Sequence, residues 1–370
     1  MKFTCSQKQL LKALNIVSKA VSNKTTRPIL KCILISAEKD SVTFTASDMD
    51  ITIKHTVTED IYIENTGVTA VSAKLFMDII RKLPANSILV ESIDSISLRV
   101  VTDNSEFTIT TADYEEFPVT KSPDTYFTKL LIDKNILKDM IRKTSFAASV
   151  EEAKGIIVGV LIEFEKDSLN MIALDGFRMA VNREPVRNDI EQSIIINAGM
   201  LNDINKIISE DDSDEDVIIS PAGNFAQINL DNTEIYLRLL EGEFIRYRDI
   251  IPSDFRTKVY IDRNDLISAV ERASLLSNDG KNNLIRVNIT NNLLTVTSRS
   301  DAGNVKEQII IDKQGEDIEI GFNSKYLLDT LKVIDDDTVL FNFNTSVTPA
   351  LIKPIEGNIY DMLVLPVRLF

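Results

Sequence analysis

Apolar residues recur along the chain in two rhythms, and the order of those rhythms itself repeats. In "MKFTCS" every second residue is apolar, as a half-buried strand requires. From Ser6 onward Leu10, Leu14, Val17 and Val21 fall at i, i+4, i+7 and i+11, which is one stripe of a helix. Period-two alternation returns in "SVTFTAS", "SLRVVTD", "EFTITTA" and "LLTVTSR", each expected to form a strand. A second helical stretch, "SAKLFMDIIRKL" at 72–83, lies among them. The predicted unit is strand, helix, several strands, helix, several strands.

That unit is written three times. Lys2, Lys129 and Lys258 match, as do Ser6, Asp133 and Asp262, and then Leu10, Leu137 and Leu266, so the period is 127 and then 129. "EKDSV" at 38–42 returns as "EKDSL" at 165–169, Asp48 as Asp175, and "EEF" at 115–117 as "GEF" at 242–244. A basic residue precedes the next strand each time, at Arg27, Lys154 and Lys281. The second helix recurs at 197–208 and 323–334 with Asp78, Asp203 and Asp329 in register. A period this long exceeds that of solenoids, so each copy is expected to own a core and count as a domain. The expected domains are 1–122, 123–252 and 253–370, with joints in "VTKSPDTY" at 119–126 and "IPSDFRT" at 251–257. The fold class is α+β: three tandem similar domains of antiparallel sheets with two helices each.

Composition changes this picture little. With 44% hydrophobic and 26% charged residues in a chain of 370, it reads as an ordinary globular protein. Apolar runs such as "IIVGVLI" at 156–162 are too short to span a bilayer, and "MKFTCSQKQ" lacks a signal-peptide core, so a cytoplasmic protein without membrane attachment is expected. Cys5 and Cys32 each sit in a strand-like alternation and are expected to be small buried hydrophobes with reduced thiols.

Charge changes it more. The net charge is −15, which argues against a polyanionic partner. Yet the six predicted helices, 6–20, 72–83, 133–144, 197–210, 262–273 and 323–334, together hold 15 basic and 9 acidic residues. Lys8, Lys12 and Lys19 make a basic stripe on the first. Segments 197–210 and 262–273 are each net −1 and depart from the trend. A locally basic surface on an acidic protein can meet phosphates in one place and repel them elsewhere. No aromatic residue interleaves these lysines, so base stacking is not indicated.

Several chemistries have no residues to carry them. His55 is the only histidine and sits in the alternating "DITIKHTV", where a surface position is expected. No GxxxxGK[ST], GxGxxG or HExxH occurs. The acidic run "SEDDSDED" at 209–216 lacks the glycine and closing glutamate of a calcium loop and reads as a solvated loop. Neither a cofactor, a metal nor a catalytic residue is expected.

Two apolar places stand out. "LDGFRMAV" at 174–181 reads as a hairpin with Asp-Gly at its turn and with Phe177 and Met179 in the core. In "MLVLPVRLF" the residues Leu363, Leu365, Val367 and Leu369 alternate to the end, which implies a last strand or a contact surface.

Those stretches, with the opening "MKFT", "RPIL" at 27–30, "LDGFRMA" at 174–180, "LLSN" at 275–278, "IGFNSKYLLDTL" at 320–331 and "LPVRL" at 365–369, carry a resemblance. Over its whole length the chain resembles the bacterial DNA polymerase III beta subunits, the sliding clamps. The resemblance implies a non-catalytic processivity factor: a head-to-tail homodimer closing into a six-domain ring around double-stranded DNA without regard to sequence. The implied partners are the DNA polymerase III alpha subunit, the clamp loader complex, and other polymerases and repair proteins bearing short clamp-binding peptides.

By position, the family's peptide pocket maps to Ile157, Leu174, Gly176, Phe177, Arg178, Met179, Ile250, Tyr326, Pro349, Leu363, Val364, Leu365, Pro366, Val367 and Arg368. The DNA-contacting positions map to Lys24, Arg27, Lys74 and Lys154, and the subunit interface to Phe107 and Ile109 on an edge strand meeting Leu275 and Leu276 of the other copy. The chain departs from the family where "FIRY" at 244–247 replaces Phe-Pro-Asp-Tyr and where Phe177 replaces a common histidine, so an altered peptide preference is expected. Interface charges do not carry over from the family: Glu106 stands where it often has arginine, and the partner side shows Lys306, which leaves a reversed ion pair open. Two other readings stay open: a peptide-binding scaffold of this fold that does not encircle DNA, and an enzyme using paired carboxylates.

Overall fold

The computed structural model describes residues 1–22, 24–83, 87–118, 129–187, 191–210, 215–277 and 283–369. The expected joint at 119–126, residues 211–214 of the acidic run, Asn278 and Lys281 lie outside them. The second joint, 251–257, is irregular chain up to the strand that starts at Thr257.

Among the described residues six α-helices form: α1 Gln7–Val17, α2 Ala73–Lys82, α3 Lys134–Thr144, α4 Ala198–Glu210, α5 Arg263–Ser277 and α6 Ser324–Val333. All but α2, where Ser72 makes no side-chain capping bond, start at a polar residue that caps them. Ser6 Oγ accepts from Gln9 N, Asp133 Oδ1 from Asn135 N at 2.8 Å, and Asp262 Oδ1 from Asp265 N at 2.9 Å, so equivalent positions cap the first helix of every repeat. Asn197 and Asn323 do the same for α4 and α6. In α1 Leu10, Leu14 and Val17 are buried as the stripe predicts, each worth about 2 kcal/mol of burial. Val21 lies past the helix, beyond a 3-10 turn.

Every named strand pairing is antiparallel. The chain divides into two compact units, Met1–Leu137 with Asp203–Leu239, and Lys138–Asn202 with Leu240–Phe370. The first holds a 13-stranded sheet, from Leu130–Ile132 at one edge to Ile61–Asn65 at the other. Within it Ile51–Val57 of the first repeat pairs with Thr233–Arg238 of the second. The second unit holds a nine-stranded sheet, in which Arg178–Glu184 of the second repeat pairs with Tyr360–Val364 of the third, and a four-stranded sheet whose outer strand is Gly303–Ile310.

This pairing corrects the expectation for His55. It is buried, 6% exposed, and its Nδ1 lies 2.8 Å from Thr233 Oγ1. Its strand is interior to the sheet because a strand 178 residues away covers what the local pattern leaves open. Both cysteines are buried and free. Burial pushes the Cys5 thiol up to about 12, so it stays protonated and inert.

Candidate functional site

The "LDGFRMAV" hairpin joins Ser168–Leu174 to Arg178–Glu184 through a three-residue turn. Asp175, itself buried, closes it: Oδ1 accepts from Phe177 N at 2.8 Å and Arg178 N at 3.0 Å, while Gly176 takes φ +92°. Met179 enters the core as expected, but Phe177 does not. It sits in the turn rather than the strand and is 51% exposed.

The C-terminal segment forms its expected strand only as far as Val364. Beyond it Leu365 N donates to Phe177 O at 2.8 Å and Val367 N to Gly321 O at 2.8 Å, so the chain leaves the sheet and crosses toward the start of α6. The two apolar places are thereby brought together. Leu174, Met179 and Leu363 form one buried cluster, with Ile157 and Leu365 packed partly exposed against it. Val364 is fully buried, whereas Gly176 and Arg368 are exposed and Pro366 and Val367 half-buried. Pro349 leads into Ala350–Lys353, whose Ala350 pairs with Val364. Ile250 follows a short turn pinned by buried Tyr247 and is itself 38% exposed.

Around this floor runs an alternation of rings and cations. Phe177 stacks on Tyr326 with centroids 5.8 Å apart. The Arg178 guanidinium lies 4.8 Å from the Tyr326 ring and 5.2 Å from that of Phe146. Its Nε also pairs with Asp175 Oδ2 at 3.1 Å and its Nη1 with Asp329 Oδ2 at 2.7 Å, so these two nitrogens are engaged within the protein. Lys154 Nζ lies 5.6 Å from the Phe177 centroid and 3.4 Å from Glu151. A residue assigned from the resemblance to DNA thus sits on the rim of the apolar groove.

Next to the groove, Tyr247 donates to Glu163 Oε2 at 2.7 Å and Arg248 binds both Glu163 and Glu165. Burial, reinforced by Glu163, pushes the Tyr247 phenol well above its ordinary value. The divergent Ile245 and Arg246 are exposed here and, with Leu161, Glu163, Ser193 and Ile195, line a cavity of about 650 Å³. Phe146, Asp175, Asp329 and Tyr247 were not expected at the groove. Of these Asp175 and Asp329 had a signal in the sequence in their recurrence in the repeat, and Tyr247 in its place at the end of "FIRY".

Of the other expected positions, Lys24, Arg27 and Lys74 are exposed. Phe107 is 40% exposed, Ile109 buried at 8%, Leu275 72% exposed and Leu276 half-buried. The strand Ser105–Ala112 pairs with Ser97–Thr102 over residues 105–110 and with Gly67–Ser72 at Thr111 and Ala112, so residues 105–110 present an edge. Among the described residues no group of three or more His, Cys, Asp or Glu could hold a metal ion, and no helix is long and apolar enough to cross a membrane.

Comparison with known proteins agrees along the whole length. Family profiles of the DNA polymerase III beta subunit match in tandem: the N-terminal domain over residues 1–121, the central domain over 131–245 and the C-terminal domain over 248–368. The beta sliding clamp of Staphylococcus epidermidis is 32% identical over 381 residues, covering 100% of both chains. The crystal structure of the Bacillus subtilis DNA polymerase sliding clamp superposes with a TM-score of 0.95 at 31% identity, and that of a DNA polymerase III beta subunit from Eubacterium rectale with 0.93 at 34%, each covering 100% of both chains. This chain, with its threefold repeat and its groove between hairpin and C-terminal strand, belongs to the DNA polymerase III beta subunit family, the beta sliding clamps.

Proposed function

We propose that two copies of this chain join head to tail into a ring of six domains, bounded in each copy at 1–122, 123–252 and 253–370, that encircles duplex DNA in the cytoplasm. As a sliding clamp it is a processivity factor of DNA replication and not an enzyme. The groove takes up short peptides from the DNA polymerase III alpha subunit, the clamp loader complex, and other polymerases and repair proteins. Phe177, Tyr326 and the floor of Leu174, Met179, Leu363 and Leu365 receive apolar side chains, and Arg178 positions the rings. Lys24, Arg27 and Lys74 meet phosphates without reading sequence, and Lys154 serves from the groove's rim. Phe107 and Ile109 of one copy meet Leu275 and Leu276 of the other.

The observation that carries this reading is the groove itself, an exposed aromatic platform held rigid by Arg178 beside a buried apolar floor. The test is retention on DNA: the protein is loaded on a nicked circular plasmid with its clamp loader, and the plasmid is then linearised. Loss on cutting with retention on the intact circle is expected. Equal loss from both, in an assay validated with a known clamp, leaves the reading of a peptide-binding scaffold that does not encircle DNA. The absence of net basic charge on the segments 197–210 and 262–273 is what favours that second reading.

A further inference from the structure

The two junctions between repeats share one register but not one set of side-chain ties. Where the first repeat meets the second, Ile51 pairs with Leu237, Ile53 with Ile235 and Lys54 with Glu234. Where the second meets the third, Arg178 pairs with Val364, Ala180 with Met362 and Val181 with Asp361, each residue 127 further on. The backbone ladders are equivalent, so a difference in strength lies in the side chains.

Across the second junction four cations of the second repeat reach acids of the third. Arg178 Nη1 lies 2.7 Å from Asp329 Oδ2 and Arg183 Nη2 2.6 Å from Asp361 Oδ2, while Arg142 Nη2 and Lys143 Nζ lie 2.7 and 3.0 Å from Asp335 Oδ2. Arg142 and Arg183 also donate to the carbonyls of Val333 and Asn358 in the third repeat. Asp361 is buried, and the Arg178 and Lys143 side chains nearly so, which shields these pairs from water and salt.

At the first junction the positions of those four cations hold Ile51, Thr56, Asn15 and Ile16, none of them charged. The match is structural, since α1 at Gln7–Val17 and α3 at Lys134–Thr144 begin and end 127 residues apart. Two of the acids persist and are satisfied inside the second repeat. Asp203 takes Lys206 of its own helix at 2.7 Å, and Glu234 takes the Tyr236 hydroxyl of its own strand at 2.6 Å. The turns leading into the junction strands differ too. Gly176 takes φ +92° at the second, whereas Met49 takes φ +85° at the first, a left-handed conformation that strains a residue with a side chain.

We infer that the first junction is the hinge of this chain and the second a fixed joint. The groove floor draws Leu174 and Met179 from the second repeat and Leu363 and Leu365 from the third, so it spans the fixed joint and keeps its shape while the chain yields elsewhere. The asymmetry stands on the fold; its use, the release of strain between Ile51–Val57 and Thr233–Arg238 when a ring opens, rests on the ring reading above.

Native-state hydrogen exchange on the full chain is the test, because each ladder is the reference for the other. Amides of Ile51–Val57 and Thr233–Arg238 are expected to exchange about tenfold or more faster than those of Arg178–Glu184 and Tyr360–Val364. Equal rates, or faster exchange at the second junction, overturn the inference. Thr56→Arg, which sets a cation at the position of Arg183 on the side of Glu234, should slow the first ladder. Arg183→Gln should speed the second, with Asp361 still held by Lys353 at 3.3 Å. If neither variant shifts its ladder, the ion pairs are not what distinguishes the junctions. Thr56→Arg should also load onto circular DNA about threefold more slowly than wild type while dimerising and binding peptide as before. Unchanged loading by a chain whose first ladder has slowed removes the hinge from ring opening. A wild-type chain that sediments as a monomer overturns the ring reading alone, since the exchange asymmetry is measured independently of it.

Discussion

Arg178 Nη1 lies 2.7 Å from Asp329 Oδ2, so a residue of the second repeat's hairpin is locked to the second helix of the third. The same guanidinium holds Asp175 and packs on Tyr326, so it ties the two halves of the groove together. With its side chain 10% exposed, truncation leaves two carboxylates facing each other without their cation. Arg178→Ala is expected to cost about 3 kcal/mol of stability and to lower peptide affinity about tenfold or more. Thermal unfolding and fluorescence anisotropy with a polymerase-derived peptide check the two effects. Unchanged binding in Arg178→Ala lacking its last five residues would remove the pocket assignment.

Lys154 rests on Phe177, and its anion Glu151 is 67% exposed, a weak hold on an ammonium group beside an open groove. Peptides with an aspartate flanking the apolar anchor should bind up to about fivefold tighter than alanine counterparts, and the difference should fade at high salt and in Lys154→Ala. An advantage that persists in the variant would assign it to another cation.

Alkaline stability should follow two phenols. Burial first, and then hydrogen bonds to Glu163 and Asp336, raise Tyr247 and Tyr360 above the ordinary value of 10.0. In the unfolded chain both ionise near pH 10 while the folded chain keeps its protons, so their contribution is complete below that pH and falls as pH rises beyond it. Tyr247→Phe should cost about 1 kcal/mol at neutral pH and flatten the loss above pH 10 in urea unfolding.

Acid acts in the opposite sense on Asp335. Burial alone would raise its carboxyl, but hydrogen bonds from Lys143 and Arg142, at 3.0 and 2.7 Å, outweigh it and hold the group below its ordinary value of 3.8. Its contribution is present above that value and is lost as pH falls through the lowered one. Asp335→Asn should lower stability at pH 7 and show a shallower decline below pH 4 in the same unfolding series.

The subunit contact gives a last expectation. Ile109→Ala with Leu276→Ala removes apolar surface from both sides of the proposed interface, and sedimentation at low concentration should then show monomer. An intact oligomer would place the interface elsewhere.

Local physics made much of this protein legible without its structure. The helices were readable because an apolar stripe at period 3.6 and a capping side chain are properties of adjacent residues, and Ser6, Asp133 and Asp262 cap where the repeat puts them. The strands followed from period two, and the threefold repeat from the chain itself. Partners across the sheets were not readable. A strand does not encode which distant strand will cover its edge, so His55 looked like a surface residue until Thr233–Arg238 is laid beside it. Phe177 looked like core because alternation predicts a face and not where a turn ends; the three-residue turn closed by Asp175 turns it outward. The groove is likewise a tertiary product, since Arg178 and Asp329 stand 151 residues apart and only the pairing of Arg178–Glu184 with Tyr360–Val364 brings their elements together. Sequence alone determined the repeated elements, because helix and strand periodicity are local; tertiary structure decided burial, charge pairing and the groove, because those depend on contacts between residues far apart in the chain.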